Sequence, residues 1–287
     1  MSVTTPRDRA SIHVDIPPIE LTSMDPAEFL SVCDKIAPMV EEALAPLIGT
    51  EYGAAELCMG ADNTPTERLD KIAEDIILAV FRSRKVCRAV LSEEAGLVTD
   101  IGGESGLAYI DPVDGSFNAG AGIPFYALSI GLSEGGNMAA GYVRNLANGE
   151  TFTAIRGKGA FLDGRPIRVS KKAELNISAM SIYARAPEMI SLLEKGLRTR
   201  RGRKLGASAL ELCYVACGRI EGFLDLRTTL RITDAAAGML ICEEAGGIVT
   251  LPDGSPVLFP DDVCAGRPLL AANPAIHTKV SDILRSK

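Results

Sequence analysis

In residues 65–83, Leu69, Ile72, Ala73, Ile76, Ile77 and Val80 recur at spacings of three and four, the period of a helix with one buried stripe. Thr66 stands where its cap would sit. Residues 25–47 repeat the pattern, with Asp25 as cap and Pro26 in the first turn. Pro38 inside that segment is expected to kink or divide the helix. Shorter, continuous apolar runs read differently. "CRAVLSEEAG" and "GLAYIDPVDG" each predict a buried strand that stops at acidic residues. "FYALSIGLSEGGNMAAGYVRN" predicts a hairpin turned at Gly135-Gly136, and "ETFTAI" and "GAFLDGRPI" add short strands with a turn at Asp163-Gly164. From about residue 175 the pattern restarts. It gives a strand ("ISAMSIYA"), a helix ("PEMISLLEKGL"), a basic run and a helix ("ASALELCYVACGRI"). A strand ("EGFLDLR") and a helix closed by glycine ("TDAAAGMLICEEAGG") come next. "GIVT", "PLLAAN" and a C-terminal helix complete the chain. Residues 1–24 carry prolines and charges with no period and read as a flexible arm.

Mixed periodicities of this kind indicate an α/β or α+β protein. The division expected is an arm over 1–24, a first lobe over 25–174 and a second over 175–287. With 287 residues, 47% of them hydrophobic, the chain has ample material for such a body. Its net charge of −7 argues against nucleic acid as a partner. A small phosphorylated ligand stays open, provided positive charge is supplied locally. The seven cysteines are odd in number and form no CxxC pair, so buried free thiols in a reducing cytoplasm are expected. No leader and no bilayer-length apolar run is seen, so no membrane partner is expected.

The chemistry lies in acids at element ends. Asp70 falls on the early helix, Glu93 and Glu94 follow one strand, Asp111 and Asp114 end another, and Asp234 opens a late helix. Singly, these read as turn residues, a solvated corner and a cap. Together, two buried strands that both end in carboxylates are hard to explain by packing. Carboxylates without histidine are the ligands of hard cations such as Mg²⁺. Only His13 and His277 are present, both in terminal regions, which disfavours a Ser-His-Asp triad or a histidine zinc site. No GxxxxGK[ST] loop occurs. A metal-activated water is therefore a better reactive group than a protein nucleophile.

These stretches, taken in order, resemble the signatures of the inositol monophosphatase superfamily. "DPVDGSFN" is similar to its first, "ITDAAAGMLICEEAGG" to its second, and "LSEE" to its strand-end glutamate motif. "GADNTPTERLD" resembles the archaeal-type branch, which acts on fructose 1,6-bisphosphate and inositol 1-phosphate. The similarity runs from about residue 26 to 280.

The resemblance implies a layered α/β/α/β/α fold with the active site between two lobes, and a homodimer. It implies Mg²⁺ as cofactor, two or three ions, with Mn²⁺ as a substitute. Glu93, Asp111 and the carbonyl of Val113 would hold the first ion, and Asp111, Asp114 and Asp234 the second. Glu93 would share a weaker third with Asp70. Asp70 and Ser116 would orient and deprotonate the attacking water, with serine in place of the commoner threonine. Gly115 and Ser116 would receive phosphate on their amides, and Gly206, Ala207 and Ser208 would line the substrate.

For substrate choice, five cations crowd 198–204: Arg198, Arg200, Arg201, Arg203 and Lys204. With Arg227 they would grip a second phosphate, the chief candidate in the run being Arg203. Inositol-specific relatives carry an acid where this chain has Arg227, which favours a bisphosphate sugar. The rivals are a nucleotide 3′-phosphatase or another small phosphomonoesterase and, in a different class, a non-catalytic sugar-phosphate-binding regulator.

Overall fold

The computed structural model describes residues 24–286, so the arm expected over 1–24 lies, apart from Met24, outside the described residues. Helix α1 (Pro26–Leu44) begins where capping chemistry places it, with the Asp25 carboxylate accepting from the Ala27 N–H at 3.3 Å. Pro38 does not divide it. An interior proline costs about 3 kcal/mol. The buried stripe of Phe29, Cys33, Ile36 and Val40 offsets that, since each such side chain contributes about 1.5–3 kcal/mol.

Strands β1 (Glu56–Met59) and β2 (Pro65–Glu67) form an antiparallel hairpin that the apolar pattern does not reveal, because β1 is exposed along its whole length. The hairpin moves the start of α2 (Arg68–Arg84) to a Glu67 cap. Thr66 is therefore a strand residue rather than the cap, and its buried hydroxyl donates to Glu94 Oε2. The α2 stripe of Leu69, Ala73 and Ile77 is buried as expected, and the same face carries Asp70 and Glu74 inward.

After α2 come β3 (Ala89–Ser92), β4 (Gly96–Val98), β5 (Leu107–Asp114), the short α3 (Ser116–Gly120), β6 (Ala127–Glu134), β7 (Asn137–Asn145), β8 (Thr151–Ile155), β9 (Gly159–Leu162) and β10 (Arg165–Pro166). They build an eight-stranded sheet in the order β10-β9-β8-β7-β6-β5-β3-β4, antiparallel throughout except for the β3–β5 pair. The chain then passes through β11 (Ala179–Tyr183), α4 (Ala186–Glu194), β12 (Arg201–Arg203), α5 (Ser208–Ala216), β13 (Gly222–Asp225), α6 (Ile232–Glu244), β14 (Ile248–Thr250), β15 (Leu269–Ala272) and α7 (Pro274–Arg285). Its strands form a second sheet, β12-β11-β13-β15-β14, with β11 parallel to both neighbours. Part of the basic run is thus an edge strand rather than a loop.

Three buried apolar clusters define the layering. One joins α1 and α2 to the first face of the large sheet. The second joins that sheet's other face to α5, α6 and the five-stranded sheet. The third packs α4 and α7 on the far side of the smaller sheet. The order is α/β/α/β/α, as expected. No helix among the described residues is long and apolar enough to cross a membrane. All seven cysteines are free. Four are buried as expected, but Cys58 and Cys264 are exposed, Cys58 because it sits on the exposed β1.

Candidate metal centre and active site

Strand β5 solves a geometric problem. In a regular strand, side chains alternate, so residues three apart point to opposite faces. Asp111 and Asp114 are three apart. The register against β6 slips by one residue between them: Asp111 pairs with Ser129 and Asp114 with Ala127. The bulge restores a common direction, and both carboxylates line one cavity of about 260 Å³. The chain then turns at Gly115, with φ of 88°. A Cβ there would meet Gly206 O at 2.9 Å, so glycine allows the 114–116 turn to pack against 206–207.

Carboxylate oxygens of Glu93, Asp111 and Asp234 lie within 4.8 Å of one another, from the end of β3, from β5 and from the first turn of α6. All the donors are oxygens, the set that suits a hard divalent cation. Their electrostatics agree. Burial pushes the Asp111 carboxyl well above the usual carboxylate range, and nearby Glu93 and Asp114 add to the shift. Burial also raises Asp114, with Asp234 adding. Glu93 is pushed up to about 8 by burial, although the Arg231 guanidinium pulls the other way. Glu94 rises to about 7 for the same first reason. So many crowded acids favour protons unless a cation neutralises them. The residues present therefore fit a metal ion.

The cavity brings together Glu93, Asp111, Val113, Asp114, Gly115, Ser116, Ser208, Arg227 and Asp234. Asp114 uses its two oxygens to accept the Ser208 and Ala209 N–H groups, at 3.0 and 2.7 Å, so it also caps α5. Three expected residues stand apart from the cavity lining. Asp70 is buried at the start of α2 and accepts from the Glu67 N–H at 3.2 Å. Burial raises its carboxyl well above the usual range, with Glu94 and Glu93 adding. Among the described residues no hydrogen bond joins it to Ser116. Ala207 is the buried cap residue of α5. Arg203, on β12, lines a different cavity, of about 500 Å³, with Ile182, Met189, Leu197 and Lys204. Arg227 does reach the acidic cavity, but its guanidinium is held by Asp225, at 2.7 and 3.0 Å, and lies over the Tyr183 ring.

Sequence reasoning missed Arg231, which bonds Asp62, Glu93 and Asp234 at the heart of the site. Its only signal was an arginine three residues before a helix-opening aspartate. Asn118, quoted in the motif but given no role, clamps two segments: its Nδ2 donates to Phe125 O at 2.8 Å and to Leu205 O at 2.7 Å.

A trio of carboxylates, two of them buried, at the ends of two strands and the start of a helix, beside a tight glycine turn, suits a hard divalent cation. The chain matches the model of the inositol monophosphatase family over residues 24–286 and belongs to that family. Its members are metal-dependent phosphoric monoester hydrolases. The chain is 38% identical over 266 residues to the fructose-1,6-bisphosphatase/inositol-1-monophosphatase of Methanothermobacter thermautotrophicus, covering 88% of this chain and 95% of that one. It is 35% identical to a bifunctional NADP phosphatase/NAD kinase of Methanococcus maripaludis, matching 91% of this chain but spanning 50% of the relative. Among solved structures, a Pyrococcus horikoshii protein described as similar to inositol-1 monophosphatase superposes with a TM-score of 0.78 at 31% identity. That match covers 91% of this chain and 99% of the other.

Proposed function

We propose that this phosphatase is a Mg²⁺-dependent phosphomonoesterase acting on fructose 1,6-bisphosphate and inositol 1-phosphate. The observation that carries the reading is the Glu93–Asp111–Asp234 trio, within 4.8 Å, in a cavity shared with Asp114 and Ser116. Glu93, Asp111, the Val113 carbonyl, Asp114 and Asp234 would hold the cations. When bound, these supply a nucleophilic water near neutral pH and shield the leaving oxygen. The protein's own part is positioning, since phosphoryl transfer asks little covalent chemistry of the enzyme. In this reading Asp70 and the Ser116 hydroxyl orient the water and take its proton, Gly115 and Ser116 amides receive phosphate oxygens, and Ala207 and Ser208 bound the sugar. Arg227 meets the distal phosphate. The two lobes, 25–174 and 175–287, would divide the work into metal binding and substrate binding, in a cytoplasmic homodimer. The bifunctional relative's name supports a second reading, removal of a phosphate from NADP.

Phosphate release decides between them. Purified protein is assayed with Mg²⁺, and with Mg²⁺ chelated, on fructose 1,6-bisphosphate, inositol 1-phosphate, NADP and a 3′-nucleotide. The reading expects Mg²⁺-dependent turnover with the highest kcat/KM on the first. Preference for NADP would replace the substrate assignment, and metal-independent turnover would sink the mechanism.

A further inference from the structure

Arg231 occupies the cap position of α6, where a basic residue opposes the positive end of the helix dipole. Its side chain is four-fifths buried among acids. Nη2 lies 2.7 Å from Glu93 Oε1 and 3.0 Å from Asp234 Oδ1. Nε donates to Asp234 Oδ1 at 3.2 Å, the main-chain N–H donates to Asp234 Oδ2 at 3.0 Å, and Nη1 donates to Asp62. One guanidinium thus joins the tip of the β1–β2 hairpin, the end of β3 and the first turn of α6. Two of its three acid partners belong to the carboxylate trio. A residue needed only to end a helix would not be placed among the groups that hold the ion.

We propose that Arg231 is the resident counter-cation of the metal centre. Its charge holds Glu93 and Asp234 together in the ion-free protein and competes with a divalent ion for the same two carboxylates. It is a positioning residue, and its contribution is to limit how tightly the ion is held. This role presupposes the metal centre proposed above. Two positive charges that share acids in a cavity of low dielectric repel strongly. By linkage, whatever the ion does to the arginine contact, the contact does to ion affinity. An ion that stayed too firmly would hinder product release, and in the empty site the arginine takes over part of the neutralisation that protons would otherwise supply.

The test compares the full-length wild type with Arg231→Met and Arg231→Lys. Each is stripped of metal, then titrated with Mg²⁺ by calorimetry and melted with and without saturating Mg²⁺. Arg231→Met should melt lower when metal-free, bind Mg²⁺ at least tenfold more tightly, and regain most of the lost Tm at saturation. Arg231→Lys, which keeps the charge, should hold the wild-type Kd within threefold. An unchanged Kd, with equal Tm losses with and without Mg²⁺, would show a helix cap and overturn the proposal. A weaker Kd in Arg231→Met would overturn it too, because the arginine would then be orienting ligands rather than opposing the ion. Should Arg231→Met fail to fold, Asp62→Asn removes the arginine's third acid and leaves its charge for Glu93 and Asp234. Mg²⁺ binding should then weaken at least threefold, and no change would count against the proposal. A wild type that takes up no Mg²⁺ would sink the metal reading itself. Wild-type binding with variants that do not differ would sink only the role of Arg231.

Discussion

Two of the protein's cavities are of opposite character. One, of about 500 Å³, is lined by the apolar Ile182, Leu193 and Leu197 together with Arg198, Arg203 and Lys204. The other, of about 260 Å³, is polar and lined by Glu93, Asp111, Asp114 and Asp234. Size and apolarity alone would choose the first as a ligand site. The acids choose the second, because burying crowded carboxylates is costly and is tolerated where a cation answers them. The contrast teaches that in this fold the proposed reaction site is marked by its unfavourable electrostatics rather than by its volume.

The sharpest way to break the contrast is to remove one charge from each cavity. Asp111→Asn should lower kcat by about a thousandfold or more, as expected when a residue central to transition-state charge is lost. The fold should be retained, which far-UV circular dichroism checks. Arg203→Ala should leave kcat on a monophosphate within about threefold, a difference of about 0.7 kcal/mol. Comparable losses from both would mean that the larger cavity takes part in the reaction.

Next in size is Ser116→Ala. If the hydroxyl orients the attacking water, kcat should fall about a hundredfold, the lower range for positioned proton transfer. KM should move less than threefold, since the amide remains. A rise in KM at constant kcat would reassign Ser116 to binding.

A pH series sharpens the electrostatic half of the comparison. Burial pushes Glu93 up to about 8 and Glu94 up to about 7 in the folded chain, above an ordinary glutamate. The folded state therefore binds more protons than the unfolded state between those values and about 4.5, and stability falls as pH rises through that window. Metal-free protein should melt at a lower temperature at pH 8 than at pH 5. Saturating Mg²⁺ should flatten the slope, because the cation replaces the protons. A slope that Mg²⁺ leaves intact would place its origin outside the acidic cavity.

How much of this was legible in the sequence depends on range. The α2 stripe, the β6–β7 hairpin and the strands that end in acids follow from local periodicity, and the order of layers follows from the family resemblance. The β1–β2 hairpin was not legible because both strands are short, β1 is exposed throughout and β2 buries only Thr66. It also displaced the expected Thr66 cap. The bulge that aligns Asp111 with Asp114 depends on pairing with β6, which spacing along one strand cannot show. Arg231 was invisible for a related reason: its partner Asp62 is 169 residues away. The basic run raised a similar difficulty. Five cations in seven residues look like one site, yet β12 is an edge strand that directs Arg203 into the other cavity, while Arg227, distant in sequence, lines the acidic one.

That separation gives the smallest and most discriminating prediction. Arg227 shares the acidic cavity, so Arg227→Ala should raise KM for fructose 1,6-bisphosphate. Its guanidinium is already paired with Asp225 and stacked on Tyr183, which reduces what it can offer a phosphate. A charge-assisted hydrogen bond contributes about 1.5–3 kcal/mol. The lower end, about tenfold in KM, is therefore expected. Inositol 1-phosphate has no distal phosphate, so its KM should stay within about threefold, or about 0.7 kcal/mol. Arg227→Lys should recover only part of the loss, because an ammonium cannot keep both the fork to Asp225 and the stack on the ring. Arg203→Ala, acting from the other cavity, should change KM for the bisphosphate less than Arg227→Ala does. If Arg203→Ala had the larger effect, the distal phosphate would extend towards the basic cavity, and the two cavities would act as one site on the bisphosphate. Equal losses on both substrates in Arg227→Ala would instead mean that the Asp225–Arg227–Tyr183 contact supports the cavity wall, and the preference for a second phosphate would have to come from elsewhere.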